Sequence, residues 1–448
     1  MTEFPKNKVS YFRLSVNGTV YPSLPIRTEK FAIGYTFYFL SRFFSESMLY
    51  YKKQFPESIL GKGYFMWVMI IFLSLALTVL GMIYLVRRFR KFGIVKKLSK
   101  GQKWLERLLG FLPLIGFVLY GVFDLVNAVV VLLHLVAFWL IGDGITVLIR
   151  WIFKKKEKAE ASAEGEKSFP IYWTGIAVIL FCAVYLSIGY YQAYHVEKTV
   201  YSLATEKPLP QGSLRIAHIA DCHVGTTFSG EGFGTYLAEI QAQEPDLLVI
   251  TGDFVDDSTS REDMLDACEA LGEVDLPYGV FFVYGNHDKG YYNRDAYSPQ
   301  ELEACLETNG VTVLEDEALL IADTFYIVGR KDREAGHRNS GTPGRMPIED
   351  LMKDLNPTKY TVVLNHQPND YDAEAATNAD LILSGHTHGG QLIPLGPIGI
   401  LMGANDRAYG KEVRGSTTFI VTSGISNWEL NFKTGTKSEY VIIDIASP

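Results

Sequence analysis

A bundle of membrane-spanning helices followed by an α/β domain is the architecture that three features of this 448-residue sequence predict. Uncharged runs of 23 residues and more are too long for the core of a soluble domain. Charge divides at residue 200, with 12 acids and 25 bases before it and 38 acids and 17 bases after it, so +13 and −21 make up the net −8. Beyond residue 212, short apolar runs alternate with polar amphipathic ones, the rhythm of an α/β domain. The acidic half repels a phosphate polymer, so nucleic acid is not an expected partner. Aromatic residues at 13% exclude disorder, and the four cysteines, without CxxC spacing, argue against a disulfide framework.

Residues 1–60 form an N-terminal extension with no apolar stretch near the start, so no cleavable signal is expected. Within it Phe31–Tyr51, rich in Tyr and Phe but carrying Arg42 and Glu46, suits an interfacial segment. Tyr64–Val86 is uncharged over 23 residues, enough at 1.5 Å per residue to cross ~30 Å of hydrocarbon. Leu108–Phe153, broken only by Asp124, His134, Asp143 and Arg150, is about twice as long as one span and reads as a hairpin turning between Gly121 and Asn127. Ser168–Tyr194 supplies the last span. Four helices, roughly 64–86, 106–124, 128–149 and 170–191, thus fill a transmembrane region at 61–195.

The segment Arg87–Lys103 carries eight basic residues and no acid, and 150–167 holds six more, which places both in the cytoplasm by the positive-inside rule. The last helix then leaves the cytoplasm and the acidic domain faces outward, as expected for a multi-pass integral membrane protein. Asp124 reads as a turn residue and Asp143 as a helix-packing contact rather than a proton site, His134 being the one other ionisable group in sight.

A Pro/Gly linker is expected at 196–212, and a domain at 213–448. Its candidate strands are Leu214–Ala220, Asp246–Thr251, Gly279–Tyr284, Thr324–Val328, Thr361–Leu364, Leu381–Leu383, Thr418–Thr422 and Tyr440–Ile445. Five are followed at once by metal-ligand residue types: Asp221-Cys222-His223, Gly252-Asp253, Gly285-Asn286-His287-Asp288, Asn365-His366 and Gly385-His386-Thr387-His388-Gly389-Gly390. Sites in α/β sheets gather beyond the carboxyl ends of strands, so these endings are expected to converge on one crevice. Carboxylate, carboxamide and imidazole suit Mn, Fe or Zn. The glycines before Asp253, Asn286 and His386 permit sharp turns.

In this order the five motifs resemble those of the calcineurin-like metallophosphoesterases, and Gly385-His386-Thr387-His388-Gly389-Gly390-Gln391 is most similar to their membrane-associated bacterial branch. The resemblance covers about 213–445 and implies a central β-sandwich flanked by helices. It implies two divalent metal ions, one on Asp221, His223 and His388, the other on Asn286, His366 and His386, with Asp253 bridging. Two close dications need such a carboxylate to offset their repulsion, and together they clamp a phosphoryl oxygen and acidify a shared water. The resemblance further implies His287 as donor to the leaving oxygen, steadied by Asp256 in a catalytic dyad. Where the family's protein phosphatases carry an arginine after that acid, this chain has Asp257, which shifts the expected substrate from phosphomonoesters to a phosphodiester or pyrophosphate.

The basic loop Arg330–Arg345 either closes over an anionic substrate through Arg330 and Arg333 or is an ordinary solvated loop. Cys222 is expected to point into the core, His218 to sit in a strand core, His195 to lie at the interface, and Tyr291, Tyr292 and Tyr297 to pack. The leading expectation is a membrane-anchored dimetal phosphoesterase with membrane lipids as neighbours and a phosphorylated lipid or cell-envelope substrate. A domain facing the cytoplasm would favour a nucleotide-diphospho-lipid hydrolase of the UDP-diacylglucosamine type. A non-catalytic sensor or transporter is the reading from another class, disfavoured because no ligand position is missing.

Overall fold

The structure, a computed structural model, describes residues 63–153, 171–289, 296–333 and 344–447, with a two-residue pairing of Ser15–Val16 and Thr19–Val20. It divides into two compact units, Met1–Leu80 and Gly81–Pro448. The interfacial segment expected at Phe31–Tyr51, Tyr291, Tyr292 and most of the Arg330–Arg345 loop lie outside the described residues.

Helix α1 (Gly63–Phe89) runs from the first unit into the second. In the second unit a short α2 (Gly93–Ser99) leads to α3 (Lys103–Phe123), α4 (Leu125–Phe153) and α5 (Trp173–Tyr194). Among the described residues three stretches, Lys103–Phe123, Leu125–Ile149 and Trp173–Tyr194, are long and apolar enough to cross a membrane. The long apolar stretch is indeed two helices: Asp124 leaves the helical region (φ −151°, ψ 86°) and its carboxylate accepts from Asn127 N at 3.0 Å, starting α4.

Pairing along the helices fixes their directions. Arg90 beside α1 reaches Glu106 near the start of α3, whereas Phe89 packs edge-on against Trp139 in the second half of α4. Trp139 Nε1 donates to Tyr172 OH at the entrance to α5, and Thr146 meets Thr174. The basic segment and the Phe89–Phe92–Trp139–Tyr172 aromatic cluster therefore share one end of the bundle. Exposed Trp104, Trp151 and Trp173 ring that end, while exposed Tyr190 and Tyr191 mark the other, ~27 Å away along α5. Asp143 has partners that the run itself does not contain: Arg88 forms an ion pair with it and Tyr84 OH donates to it.

The chain leaves α5 at His195, which stacks on Tyr191, and enters β1 (Val196–Ala204) at once. This corrects the expected linker: Val196–Ala204 pairs in parallel with β12 (Ser438–Ala446) along its whole length, and only the stretch after Ala204 connects. The alternating burial of β1 marks it as an edge strand, which hid it among linker-like residues.

Two six-stranded sheets follow. The first has order β1-β12-β2-β3-β4-β5, with β2 Ser213–Ile219, β3 Leu247–Thr251, β4 Val280–Val283 and β5 Val311–Leu314. The second has order β10-β11-β9-β8-β7-β6, comprising β6 Glu317–Ile321, β7 Phe325–Gly329, β8 Tyr360–Leu364, β9 Leu381–Ser384, β10 Gly410–Arg414 and β11 Thr417–Val421. Their facing sides share one core, in which Ile216, Val249 and Phe281 meet Ile327, Val362 and Leu383. Helices α6 (Gly230–Gln241), α7 (Arg261–Gly272) and α8 (Pro299–Thr308) cover the outer face of the first sheet. The shorter α9 (Ile348–Met352) and α10 (Tyr371–Ala375) cover that of the second. The central sandwich flanked by helices is as expected. The near-continuous apolar runs of β3, β4, β8 and β9 reflect burial on both faces.

Candidate metal centre

Strands β2, β3 and β4 are parallel neighbours in one sheet and β8 and β9 in the other, so their carboxyl ends open on the same edge of the sandwich. All five motifs meet there. The side chains of Asp221, His223 and His388 offer donor atoms within 4.8 Å of one another, and so do those of Asp253, His366 and His386. Asn286 completes the second group, its Oδ1 lying 3.1 Å from His366 Nε2, which is itself 3.1 Å from Asp253 Oδ2. His223 Nε2, 3.9 Å from that same Asp253 oxygen, ties the first group to the second.

The backbone is bent to make this possible. Asp221, His223, Asp253, His386 and His388 all adopt positive φ, uncommon for residues with a Cβ and typical of strained functional turns. Gly252 turns at φ +83°, as expected of a glycine. Gly385 serves differently, for a Cβ there would come within 2.4 Å of Ala220 and 2.6 Å of the Asp221 carboxylate. Its role is close approach.

The donor sets fit divalent metals. Among the described residues, His223 Nε2 and His388 Nδ1 are buried with no hydrogen-bond partner from the protein, so imidazole donors are left over inside the site. Burial pushes His386 down to about 3 and His388 well below its ordinary value, keeping both in the neutral form that binds metal. Burial also lifts Asp221 to about 6, with the nearby Asp253 carboxylate adding to it, whereas imidazoles led by His366 hold Asp253 well below the usual range despite burial. Two carboxylates at 0–1% exposure are costly side by side, and cations between them would remove the repulsion.

Outer contacts orient the donors. His366 Nδ1 lies 2.7 Å from Thr251 O, and both Asp221 oxygens accept from His386 N at 2.9 Å. Asp288 accepts from the backbone N–H groups of Asp253, Phe254, Val255 and Gly285 at 2.7–3.1 Å, tying the second and third motifs together. This clamp is visible in sequence only as the acid after Asn286-His287. Cys222 faces the core, and His218 is buried with Nε2 2.8 Å from Thr251 Oγ1.

Two expectations need correction. The carboxylate of Asp256 is engaged by His223 Nδ1 at 3.1 Å and by Ser258, so it directly supports a metal-ligand imidazole, and it acts on His287 through its charge. These bonds hold Asp256 well below the carboxylate range against the effect of burial. His287 is anchored instead by its backbone N–H on Asp253 Oδ1 at 2.8 Å, with its ring 5.1 Å from that of Trp428 and 5.3 Å from that of His223. Arg330 does not reach toward a substrate: at 2% exposure it pairs with Glu374 at 2.6 Å. Its neighbour Arg345 binds Asn365 and Asp370. Arg333 is exposed at the edge of the described residues.

Trp428, which sequence reasoning missed, belongs to the segment between β11 and β12, and its ring also lies 6.3 Å from that of His223. Deeper in that segment Lys433 is fully buried, its Nζ donating to Ser423 O, Gly424 O and Ser426 O at 2.8, 3.3 and 3.0 Å, beside Asp221. No pattern in the sequence separates this lysine from a surface one.

A two-sheet sandwich carrying seven Asp, His and Asn donors at its strand ends, six of them buried and His386 half-buried, defines a metal-dependent hydrolase. The profile of the Calcineurin-like phosphoesterase family matches residues 214–390. An uncharacterized metallophosphoesterase of Aquifex aeolicus is 32% identical over 249 residues, 55% of this chain and 90% of its own length. A transmembrane protein with metallophosphoesterase domain from Danio rerio is 28% identical over 393 residues, 81% of this chain and 86% of its own. A dimetal phosphatase of Danio rerio, known from its crystal structure, matches 46% of this chain and 86% of its own at 11% identity and a TM-score of 0.33. The chain belongs to the calcineurin-like metallophosphoesterases: it is a membrane protein with a metal-dependent phosphoric ester hydrolase domain.

Proposed function

We propose that this protein is a multi-pass membrane phosphoesterase that hydrolyses a phosphodiester or pyrophosphate bond in a lipid or cell-envelope substrate, on the face of the membrane away from the cytoplasm. The observation that carries the reading is the seat of the site. The segment bearing Trp428 and Lys433 joins the metal centre to the tyrosine-marked end of the helices, where Lys433 N donates to Gly189 O at 2.9 Å. The basic segment lies at the opposite end, and basic ends stay in the cytoplasm.

When two divalent ions are bound, they supply charge neutralisation at the phosphoryl group and a nucleophile at neutral pH. The protein's residues do the rest. Asp253, Asp221 and the four ligand imidazoles fix the geometry, with Asp256 and Thr251 orienting His223 and His366. His287, held by Asp253 and walled by Trp428, is placed to donate a proton to the leaving oxygen. Its pKa is lowered mainly by burial, which makes its proton easier to give up. Among the described residues Arg330 and Arg345 are committed to protein partners and position 257 is an acid, so none of these three positions adds cationic support for a dianionic monoester, in keeping with a diester or diphosphate.

The test uses the full chain in lipid nanodiscs with Mn²⁺, given paired aryl phosphodiester and monoester substrates. Diester cleavage should exceed monoester cleavage, stop on chelation, and fall about 10²–10⁴-fold in His287→Ala. A monoester preference would overturn the proposed substrate class.

A further inference from the structure

Directly after the Gly385–Gln391 motif, Leu392–Ala404 contains 13 residues and no charge. It forms a short helix α11 (Leu395–Leu401) whose apolar side chains turn outward: Ile393 is 59% exposed, Leu401 87% and Met402 59%, with Leu395, Ile398 and Ile400 at 41–49%. A patch of six large apolar side chains is costly to leave in water and calls for a partner.

Its position identifies that partner. Leu392, at the root of the segment, is buried in the same cluster as Leu186 and Cys182 of α5 and Trp139 of α4. Ile393 N donates to Thr434 Oγ1 at 3.0 Å, and a Cβ on Gly189 would meet Thr434 at 2.9 Å. Gly189 lies within the apolar span Trp173–Tyr194, five residues or ~7.5 Å before its end and next to the exposed Tyr190 and Tyr191. The segment therefore leaves the bundle at the depth of the headgroup boundary, where an uncharged apolar helix buries its face in lipid. It is also one piece with the metal-ligand loop: a Cβ on Gly390 would lie 2.3 Å from Gly396 Cα.

We infer that residues 393–402 insert into the leaflet beside the metal centre, making the lipid surface itself a binding partner of the catalytic domain. A phosphorylated lipid then reaches the site with its acyl chains still in the bilayer and only its headgroup withdrawn. This second step rests on the proposed lipid substrate; the insertion does not.

The two are tested separately on the full chain in nanodiscs, in a Cys305→Ser background because the other cysteines are buried. A nitroxide on Leu401→Cys should be accessible to oxygen and shielded from a water-soluble relaxation agent, the reverse of one on Ser416→Cys, at an exposed position between β10 and β11. Water-like accessibility at Leu401, or spin–spin broadening that reveals a second copy against the patch, would overturn the insertion. With insertion established, Leu401→Asp should lower turnover of a bilayer-borne phosphodiester at least tenfold while leaving that of a soluble aryl diester unchanged. Equal loss on both substrates would overturn lipid delivery without touching the insertion. Should the wild type cleave the soluble diester but no lipid, the proposed substrate fails and the nitroxide result stands.

Discussion

The two ends of the helical bundle are held by different chemistry. At the basic end the contacts run between the helices and the segments joining them: edge-on aromatic packing, the Trp139–Tyr172 hydrogen bond, and two part-exposed ion pairs, Arg88–Asp143 and Arg90–Glu106, the latter with side chains 28% and 24% exposed. At the tyrosine end they are directional hydrogen bonds centred on one buried asparagine. Asn127, 2% exposed, donates to Asp124 and to Glu429 O at 2.9 Å and accepts from Asn431 N at 2.8 Å. Asn431 in turn donates to Asp124 and accepts from Tyr194 OH at 2.7 Å. Every protein partner in this second network from outside the helices belongs to the segment that carries Trp428 and Lys433. The difference teaches that one end of the bundle is closed by contacts among the helices themselves, whereas the other is built into the catalytic domain.

Breaking the second end should therefore act on the site from a distance. The largest effect is expected from Lys433→Met, which strands buried carbonyls of Ser423 and Ser426 beneath Asp221. Loss of stability on the order of 3 kcal/mol follows from unpaired buried carbonyls at ~1–3 kcal/mol each. Chemical denaturation in detergent reads it, and an unchanged midpoint would mean that the ammonium does not support this segment. Next comes Asn127→Ala. It removes nothing from the metal centre, yet it should lower kcat/KM by up to about 10²-fold if Trp428 and the ligand loop shift by as much as ~1 Å. Activity equal to wild type would reduce the handshake to mere anchoring. The smallest effect belongs to the basic end: Glu106→Ala should cost no more than ~1 kcal/mol and leave turnover unchanged. A loss of activity there would abolish the contrast.

Much of the molecule was legible in one dimension because its signals are local. Chain length against bilayer thickness located the apolar helices, and Asp124 at a break between apolar runs located the turn. Eight of the twelve sandwich strands announce themselves as apolar runs because they lie in the sandwich interior. The ligand residues stand out because each follows such a run directly. Edge strand β1 did not, for alternating burial within Val196–Ala204 resembles any polar connection, and β5, β6 and β10 are short and only partly buried.

Sequence by itself thus determined the membrane and α/β halves, the chemical type of the donors and their assignment to a metal centre, since residue type and spacing along one chain carry that information. Only tertiary structure decided which carboxylate serves which imidazole, that Arg330 turns inward to Glu374, that Lys433 is buried, and that Asn431 clasps the helix turn at Asn127. Those are contacts between residues up to 304 positions apart, and hydrogen bonds of a few ångströms depend on where packing brings two chain segments together.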